Sequence, residues 1–287
     1  MILVAGDLMV DVFLLPELRE DGQPEGVLLR PGGSAANTAS WLAEQGEAVS
    51  FLGRVGDDSA GHMLIEDLRR REIETLVREE AGRETGVVVV QVGSEGDRLM
   101  RSARGANMSL APEDILEAPT GQLRWMHLTG YGLLSPHGIR LLEAAVELSR
   151  RNGVPLSFDP SSLGVVERYG AAILEMLTGV PGAVLLPNEE EALALTGRSE
   201  VMSAARALSR VARTAVKRGA AGAALAEGGV AGEVRGTSRR AINTTGAGDA
   251  FNAGVIHALS RGRDLSAACR QGNDLAARVL AVHGARP

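Results

Sequence analysis

Between residues 243 and 251 the chain reads Asn243-Thr244-Thr245-Gly246-Ala247-Gly248-Asp249-Ala250-Phe251. Apolar residues at helical spacing follow, and they predict a helix over Asp249–Ser260. Small residues let a backbone approach a ligand closely, and the amide groups at the positive end of a helix attract anions. The segment therefore predicts an anion-binding site built from Gly246, Ala247 and Gly248. Phosphoryl transfer needs such a site, because negative charge spreads over the transferred group.

The aspartate of this segment, Asp249, falls in the first turn of the predicted helix and would face the same anion. A carboxylate there could accept the proton of an acceptor hydroxyl as a general base. For an isolated Gly-Ala-Gly-Asp sequence, the alternative is that the aspartate only caps the helix. A dinucleotide-binding fingerprint is excluded at this point, because Phe251 stands where glycine or alanine is needed.

The composition is that of a globular protein with a large core, since 45% of the 287 residues are hydrophobic and 23% are charged. The formal net charge of −6 disfavours a nucleic-acid partner, because phosphate backbones attract basic surfaces. The single cysteine, Cys269, excludes an intramolecular disulfide and a cysteine-based zinc site. The sequence has neither a leader-like N-terminus nor a long apolar run, so we expect a cytoplasmic protein without a membrane partner.

Lysine is the most informative residue type, because Lys217 is the only one and every other basic side chain is arginine or histidine. A Walker A loop requires Gly-Lys-Ser/Thr, whereas this lysine lies in Val216-Lys217-Arg218. The sequence therefore excludes a P-loop nucleotide-binding site. The motif set of protein kinases is also absent.

Short apolar runs alternate with longer helical patterns along most of the chain. The predicted strands are Ile2–Ala5, Val49–Leu52, Trp125–Leu128, Val154–Phe158, Ala183–Leu186, Ala215–Lys217, Ala223–Ala226 and Val230–Val234. The predicted helices are Ala35–Gln45, Ala60–Arg70, Pro136–Arg151, Glu189–Leu195, Glu200–Ala212, Asp249–Ser260 and Leu265–Ala281. Strands separated by helices form parallel βαβ units, so the pattern predicts a three-layer α/β fold with helices on both faces of a mostly parallel sheet.

Two segments break this alternation, at roughly residues 9–30 and 86–104. The second predicts a β-hairpin, with Val87–Val92 as one strand, a turn at Gly93–Gly96 and a return strand over Arg98–Arg101. Strands without intervening helices cannot easily join a parallel sheet, so we expect a small separate sheet that acts as a lid. No internal repeat or long linker divides the chain, which predicts one domain over residues 1–287.

A second glycine-rich segment reads Gly32-Gly33-Ser34-Ala35-Ala36-Asn37. Together with residues 243–251, this order of two glycines and an Ala-Asn pair resembles the signatures of the ribokinase-like (PfkB) family of carbohydrate and nucleoside kinases. The resemblance covers nearly the whole chain. It implies the ribokinase-like fold with a β-sheet lid, ATP and Mg²⁺ as cofactors, and transfer of the γ-phosphoryl group to a hydroxyl of a small sugar or sugar derivative, with Asp249 as the base.

The resemblance also implies a set of substrate-binding residues. Asp11 would hydrogen-bond substrate hydroxyls, Gly33 would let the backbone approach the sugar, and Asn37 would contact it through its amide. The full implied set is Asp11, Gly32, Gly33, Asn37, Arg98, Asn107 and Asp159. From the residues alone, Asp11 could equally be a turn residue, Asn37 a polar residue at a helix start and Arg98 an exposed strand charge.

For the nucleotide, the resemblance implies that Asn188 and Glu191 help to place magnesium and phosphate, with Glu191 acting indirectly on Mg²⁺. Residues three apart on a helix share a face, so both side chains could point into one site. Acidic runs such as residues 189–191 are nevertheless usually solvated. The other implied ATP-binding residues are Lys217, Gly219, Gly222, Thr245 and Asn273, although the lysine could be a strand-end charge only.

The chain departs from the family pattern at two positions. Asn243 replaces an aspartate that contributes to a monovalent-cation site in potassium-dependent relatives, so we expect low or absent potassium dependence. Ser34 stands where ribokinases usually carry lysine, which disfavours ribose as the substrate. The lid region offers only Phe13 for stacking on a purine, so a sugar is favoured over a nucleoside.

Three alternatives remain open from the sequence. A nucleoside kinase of the same fold differs in its substrate alone. A non-catalytic sugar or nucleotide sensor is disfavoured, because pure binding does not need a base such as Asp249. A nicotinamide-dependent oxidoreductase is disfavoured by the missing glycine fingerprint after the first strand. A lid sheet with an uncovered edge could pair in a homodimer.

Overall fold

The structure is a computed structural model that describes residues 1–14, 26–92, 98–236, 245–279 and 285–287. The strands are Ile2–Ala5 (β1), Met9–Leu14 (β2), Val27–Gly32 (β3), Val49–Gly56 (β4), Glu74–Glu80 (β5), Gly86–Val92 (β6), Arg98–Ala103 (β7), Trp125–Thr129 (β8), Leu156–Asp159 (β9), Val184–Leu185 (β10), Arg213–Lys217 (β11), Ala223–Glu227 (β12) and Val230–Val234 (β13). The α-helices are Ser34–Glu44 (α1), Ser59–Arg70 (α2), Pro112–Leu116 (α3), Arg140–Asn152 (α4), Leu163–Leu177 (α5), Glu189–Thr196 (α6), Val201–Leu208 (α7), Ala247–Ser260 (α8) and Leu265–Val279 (α9). None of the helices within these ranges is long and apolar enough to cross a membrane.

The larger sheet has nine strands in the order β13-β12-β11-β10-β9-β8-β1-β4-β5. All neighbouring pairs from β11 to β5 are parallel, and β12 and β13 add to the edge as antiparallel strands. Helices connect most of the parallel strands, as such connections require. The predicted α/β fold with a mostly parallel sheet is confirmed.

The core lies on both faces of the larger sheet. Along β1, Ile2 and Val4 belong to one buried apolar cluster, whereas Leu3 and Ala5 belong to the other. The first cluster contains residues of α1, α2, α8 and α9, and the second contains residues of α4, α5 and α7. Successive side chains of a strand point to opposite faces, so β1 separates two helical layers.

The carboxyl ends of the parallel strands bring polar side chains to one edge of this sheet. Asp7 follows β1, Asp159 ends β9 and Lys217 ends β11. In open parallel sheets, ligands bind beyond this edge. Three residues from distant parts of the chain therefore meet where a ligand site is expected.

A second sheet has four strands in the order β3-β2-β6-β7. The pair β6–β7 is antiparallel, as the hairpin prediction requires, with Val87 opposite Ala103 and Val92 opposite Arg98. The predicted turn at Gly93–Gly96 lies outside the described residues. The strands of the two segments that break the helical alternation thus pair with each other, and the predicted small separate sheet is confirmed.

The strand β5 and the helix α5 are among the elements that were not predicted from the sequence. The strand β5 reads Glu-Thr-Leu-Val-Arg-Glu-Glu, which has no long apolar run to predict a strand. It tolerates these charged residues because it lies at an edge of the larger sheet. The helix α5 contains Gly164 and Gly170, which lower helix propensity, and it is held by the buried face of Val165, Ile173 and Leu177. Tertiary packing stabilises both elements where the local pattern is weak.

The helix predicted from Pro136 begins later, at Arg140. Gly138 has a φ of +55°, outside the right-handed helical region. It also approaches Tyr169, because a Cβ added at Gly138 would lie 2.5 Å from the Tyr169 hydroxyl. A close approach between α5 and the segment before α4 therefore delays the start of that helix.

Candidate active site

A cavity of about 820 Å³ opens at the carboxyl edge of the larger sheet, and the smaller sheet lines one side of it through Met9, Val88 and Ser102. Its volume is typical of small-molecule sites. Most of the residues predicted for the site line this cavity: Asp11, Gly33, Asn37, Asp159, Asn188, Glu191, Lys217, Gly219, Gly222, Thr245, Gly246, Ala247, Gly248, Asp249 and Asn273.

The first glycine-rich segment forms the start of α1. Gly33 is the N-cap residue with a φ of +96°, and a Cβ there would lie 2.5 Å from the Asp7 carbonyl oxygen. The carboxylate of Asp7 accepts hydrogen bonds from the backbone amides of Ser34 at 3.0 Å and Ala35 at 3.2 Å. The aspartate after β1 therefore caps α1 and holds its first turn at the cavity.

The second glycine-rich segment forms the start of α8, two residues earlier than predicted. Gly246 is the N-cap residue with a φ of +83°, and a Cβ there would lie 2.5 Å from the Cβ of Ala285. The first hydrogen bond of the helix runs from the amide of Ala250 to the carbonyl of Gly246 at 2.9 Å. The amides of residues 247–249 thus have no partner within the helix, and they lie at its positive end beside the cavity.

The two glycine-rich segments meet at Asp249. The Ser34 hydroxyl donates to its Oδ1 at 2.7 Å, and the Asn37 amide donates to its Oδ2 at 2.8 Å. The Thr38 hydroxyl donates to the Asp249 carbonyl oxygen at 3.4 Å. Asp249 is not the N-cap residue of α8, since Gly246 holds that position. The contact joins residues 212 positions apart, from Asn37 to Asp249.

The environment of Asp249 raises its pKa to about 7. Burial is the largest cause, because a low-dielectric site disfavours the charged form. The hydrogen bonds from Ser34 and Asn37 oppose this by stabilising the carboxylate, while the negative charges of Asp159 and Asp7 add to the increase. A carboxylate with a pKa near neutrality is suited to accept a proton and release it.

A second carboxylate of the cavity, Asp11, comes from β2 of the smaller sheet and is buried. Burial raises its pKa to about 6; the positive charge of Arg286 lowers it and the negative charge of Asp7 raises it. Its carboxyl group packs against the backbone of Gly32, where a Cβ would lie 2.4 Å away. Gly32 itself is not among the lining residues, so it acts by making room for Asp11.

Lys217 lies beside the start of α8. Its ammonium group donates to Asp159 Oδ2 at 2.6 Å and to the Asn252 side-chain oxygen at 3.4 Å. A Cβ added at Gly248 would lie 3.8 Å from the lysine Nζ. The one lysine of the chain therefore adds a positive charge next to the amides of the first turn of α8, and its partner Asp159 holds it there.

Asn188 and Glu191 form a capping box at the start of α6. The Asn188 side chain accepts from the Glu191 amide at 2.8 Å, and the Glu191 carboxylate accepts from the Asn188 amide at 2.9 Å. The predicted geometry, with both residues on one helix face, is wrong, because Asn188 precedes the helix as its N-cap. Both residues still line the cavity. Burial, followed by the negative charge of Asp159, raises the pKa of Glu191 to about 7.

The far end of the cavity is formed by backbone and by small side chains. Gly219 and Gly222 follow β11, and Asn273 reaches in from α9, where its amide donates to the Arg235 carbonyl at 3.1 Å. Thr245 precedes the turn at α8. A Cβ at Gly219 would meet no atom within 4 Å, so the backbone there is open, whereas a Cβ at Gly222 would lie 2.2 Å from the Val234 carbonyl oxygen.

One predicted substrate-binding residue, Asn107, does not line the cavity, and two other predicted residues lie wholly or partly outside the described residues. The Asn107 side chain accepts from the Leu8 amide at 2.8 Å and donates to the Leu8 and Arg104 carbonyls at 3.0 Å each. These hydrogen bonds connect the segment that follows β7 to the segment that follows β1, and Asn107 does not line the cavity. Arg98 begins β7, and its side chain lies outside the described residues, as does Asn243 with the cation site predicted from it.

Several residues in or beside the cavity were not predicted from the sequence. Tyr131 lines the cavity after β8, and the Arg104 guanidinium lies 4.5 Å from the centre of its ring. Arg286 is buried and donates to the Asn37 side-chain oxygen at 2.9 Å. Tyrosine is rare in this chain, and a tyrosine just after a predicted strand was the available signal. Nothing local marks Arg286, because its partners are far away in sequence.

The arrangement has the parts that transfer of an anionic group to a hydroxyl requires. Asp249 can accept a proton, the amides of residues 247–249 and Lys217 can stabilise negative charge, and Asp11 can bind a hydroxyl. These groups line one cavity. Charge stabilisation by fixed donors is usually the largest contribution to such catalysis.

Comparison with known proteins agrees with this chemistry. The model of the pfkB family carbohydrate kinases matches residues 1–287. A fructokinase from Klebsiella pneumoniae is 34% identical over 269 residues, which cover 90% of this chain and 83% of the relative.

Two solved structures have the same fold. The adenosine kinase from Sinorhizobium meliloti is 25% identical, with a TM-score of 0.87 over 100% of this chain and 95% of the other. The fructokinase from Vibrio cholerae O395, solved with fructose, ADP and calcium ion bound, is 26% identical, with a TM-score of 0.83 over 99% of this chain and 94% of the other. The family uses ATP with a divalent metal ion and transfers phosphoryl groups to hydroxyls. The chain belongs to the pfkB family of carbohydrate kinases.

Proposed function

We propose that this kinase transfers the γ-phosphoryl group of ATP to a hydroxyl of a small sugar or sugar derivative, with Asp249 as the general base. The observation that carries the proposal is the position of the Asp249 carboxylate, in the first turn of α8 and within 2.8 Å of donors from α1. The base thus lies between the helix amides that would bind phosphate and the residues that would bind the acceptor.

In the proposed mechanism the acceptor hydroxyl lies between Asp11 and Asp249. Asp249 takes the hydroxyl proton as the oxygen attacks the γ-phosphorus, and the bond from that phosphorus to the bridging oxygen breaks so that ADP leaves. The amides of Gly246, Ala247 and Gly248, with that of Asp249, stabilise the negative charge of the phosphoryl oxygens. The raised pKa of Asp249, about 7, supports this step, since the carboxylate is basic enough to hold the proton until the product leaves.

Mg²⁺ would be held indirectly on the nucleotide side of the cavity. Glu191 is 1% exposed, and one of its oxygens already binds the Asn188 amide. Burial raises the pKa of Glu191 to about 7, and a hydrated cation nearby would favour its ionised form, which fits the residue to the group. Magnesium typically keeps several waters and binds one or two carboxylates together with the phosphates. When bound, it would neutralise phosphate charge.

The smaller sheet would close over the acceptor and exclude water, which is itself a phosphoryl acceptor. Met9, Val88 and Ser102 of this sheet line the cavity and support that role. A wet site would hydrolyse ATP without phosphorylating the acceptor.

Among acceptors, a sugar is favoured over a nucleoside. Tyr131 has one face covered by Arg104, at 4.5 Å from the guanidinium carbon to the ring centre, so that face cannot stack on a base. The likeness to fructokinases points the same way. A nucleoside remains the second candidate, because the adenosine kinase noted above covers the whole of this chain.

A homodimer through the smaller sheet is also proposed. Within the described part of that sheet β3 is an edge strand, and its residues Val27 and Leu29 are 54% and 56% exposed. Residues two apart in a strand share a face, so the two side chains form one apolar patch. An uncovered apolar edge favours pairing with a second copy.

The decisive experiment is a panel of sugars and nucleosides assayed by coupled detection of ADP, with the Asp249→Asn variant as the matched control. We expect sugar-dependent ADP release from the native chain that falls by orders of magnitude in the variant. Nucleoside-only activity would select the second candidate. Binding of both ligands without turnover would instead indicate a sensor and refute the proposal.

A further inference from the structure

Arg286 lies at the centre of a buried polar cluster, and the proposed mechanism has so far given it no role. Its side chain is only 4% exposed. Nη1 donates to Asp67 Oδ2 at 2.6 Å, Nη2 to the Gly32 carbonyl at 2.5 Å, and Nε to Asn37 Oδ1 at 2.9 Å. The buried charge is thus paired with a carboxylate and hydrogen-bonded on every nitrogen, as buried arginines require.

The backbone that carries Arg286 is held between α1 and α8. The Trp41 indole donates to the Ala285 carbonyl at 2.9 Å, and Ala285 contacts the turn at Gly246 closely enough to exclude a Cβ there. The guanidinium therefore approaches the start of α1 from a fixed direction.

The contact with Asn37 determines which way its amide faces. A guanidinium can only donate, so it must meet the amide oxygen of Asn37. The amide nitrogen is then directed to Asp249, to which it donates at 2.8 Å. Without Arg286, rotation of the amide by half a turn would place its oxygen against the carboxylate.

We propose that Arg286 is a positioning residue for catalysis, which acts through Asn37 to keep an N–H donor on the carboxylate of Asp249. The inference rests on the proposed role of Asp249 as the base. Oriented this way, Asn37 stabilises the ionised carboxylate, the form that can accept a proton, and restrains it against rotation. The series Asp67–Arg286–Asn37–Asp249 links α2 to α8 through the start of α1.

Several other groups act on Asp249, and the test must separate them. Ser34 donates to its other oxygen, and Asp7 and Asp159 raise its pKa by repulsion. Lys217 lies next to Gly248, near the same helix start. Arg286 itself also acts by charge on Asp11, the second carboxylate of the cavity. A substitution that keeps the charge is therefore needed beside one that removes it.

The first experiment compares Arg286→Gln and Arg286→Lys with the native chain over a range of pH. Lysine keeps the positive charge and a single donor group, whereas glutamine removes the charge and the planar guanidinium group. We expect Arg286→Gln to lower kcat at pH 7 about tenfold and to move the acid limb of kcat upward by roughly one pH unit, because the lost donor favours the protonated base. The KM for ATP should change little, and Arg286→Lys should recover part of both effects.

The control is Trp41→Phe, which removes the other tether of the same backbone without touching Asn37. If Arg286 only stabilised the fold, both substitutions would lower the unfolding temperature and leave the pH profile unchanged. That result would overturn the proposal. An acid limb that moves in Arg286→Gln and not in Trp41→Phe would support it.

A double-mutant comparison tests the path through Asn37. In an Asn37→Ala background, Arg286→Gln should no longer shift the acid limb, since the amide that it orients is gone. An equal shift in both backgrounds would show a direct charge effect and would overturn the proposed path.

One readout does not depend on turnover. In protein with ¹³C-labelled aspartate carboxyl groups, the Asp249 signal is the one missing from Asp249→Asn, and its titration midpoint should rise in Arg286→Gln. If the native chain phosphorylates nothing while this shift is present, the proposed function fails and the positioning contact stands. If the native chain is active and the midpoint does not move, the positioning role fails alone.

Discussion

Two opposing influences meet at the Asp249 carboxyl group. Burial and the charges of Asp159 and Asp7 favour its protonated form, whereas donors from Ser34 and Asn37 favour its ionised form. The balance leaves a pKa of about 7. A carboxylate in such an environment binds a proton readily near neutral pH, and it reduces the stability of the fold when it is ionised.

Substitution of this base should separate activity from stability. We expect Asp249→Asn to lower kcat by about 10²–10⁴-fold, the usual contribution of a general base, while ATP binding changes little. Because the pKa is raised on folding, the folded chain binds this proton more tightly than the unfolded chain, and the resulting loss of stability is complete above pH 7 and disappears as the pH falls toward 4.

The free energy of unfolding of the Asp249→Asn variant should therefore be no lower than that of the native chain at pH 8. The difference between the two proteins should shrink as the pH falls toward 4. Coupled ADP assays and urea unfolding followed by circular dichroism check the two parts. Near-native turnover in this variant would remove the assigned role.

The dependence of activity on pH follows from the same carboxyl group. We expect kcat to fall about tenfold per pH unit below about pH 7, because only the ionised base accepts a proton. Glu191 also has a pKa of about 7, so Glu191→Gln is the control. The acid limb should persist in that variant at a lower overall rate, and its disappearance there would assign the limb to Glu191.

At the scale of single residues, the sequence predicts what lies in a local pattern. Asp249 could be singled out because small residues and a helix pattern surround it. Arg286 could not, because it acquires its place through partners distant in the chain, such as Asn37, and Tyr131 was marked only by its position just after a predicted strand. Asn107 was assigned to the substrate, but its amide is consumed by backbone groups, which no local pattern reveals.

At the scale of elements, the start of α8 depends on two glycines for different reasons. Gly246 has a φ of +83° and no room for a Cβ against Ala285, whereas a Cβ on Gly248 would only make ordinary contact with Lys217, at 3.7 Å and beyond. Gly246 is therefore required by the fold, whereas Gly248 keeps the space in front of the helix amides open.

Alanine at Gly246 should mainly lower the stability of the fold, whereas alanine at Gly248 should mainly impair activity. Gly246→Ala should destabilise the fold by roughly 1–3 kcal/mol, because its backbone conformation is strained for other residues and the added methyl overlaps Ala285. Gly248→Ala should leave the unfolding temperature nearly unchanged and raise the KM for ATP or lower kcat, since its methyl points toward the phosphate site. Thermal unfolding and steady-state kinetics on both variants make the comparison. Equal losses of stability would contradict the division of roles.

The order of strands and helices was largely predictable, because buried parallel strands are short apolar runs between amphipathic helices. The exceptions are elements whose local pattern is weak. β5 lies at a sheet edge and carries charged residues, and α5 contains two glycines, so only packing against the rest of the fold stabilises them.

At the scale of the whole molecule, the smaller sheet extends beyond the two packed layers of helices and has an exposed apolar patch on β3. We expect the chain to dimerise through this patch and Leu29→Lys to convert the dimer to a monomer. Light scattering after size-exclusion chromatography measures the mass. Leu163→Lys is the matched control, since Leu163 is an exposed leucine on α5, outside the smaller sheet. A native chain that is monomeric at micromolar concentration would refute the dimer.

The site joins residues from opposite ends of the amino-acid chain. Asp249 needs Ser34 and Asn37 from early in the chain, and Asn37 in turn is held by Arg286. On the ribosome, residues of α1 emerge long before their partners are made. A nascent chain consequently cannot complete this set of contacts until residue 286 has left the exit tunnel.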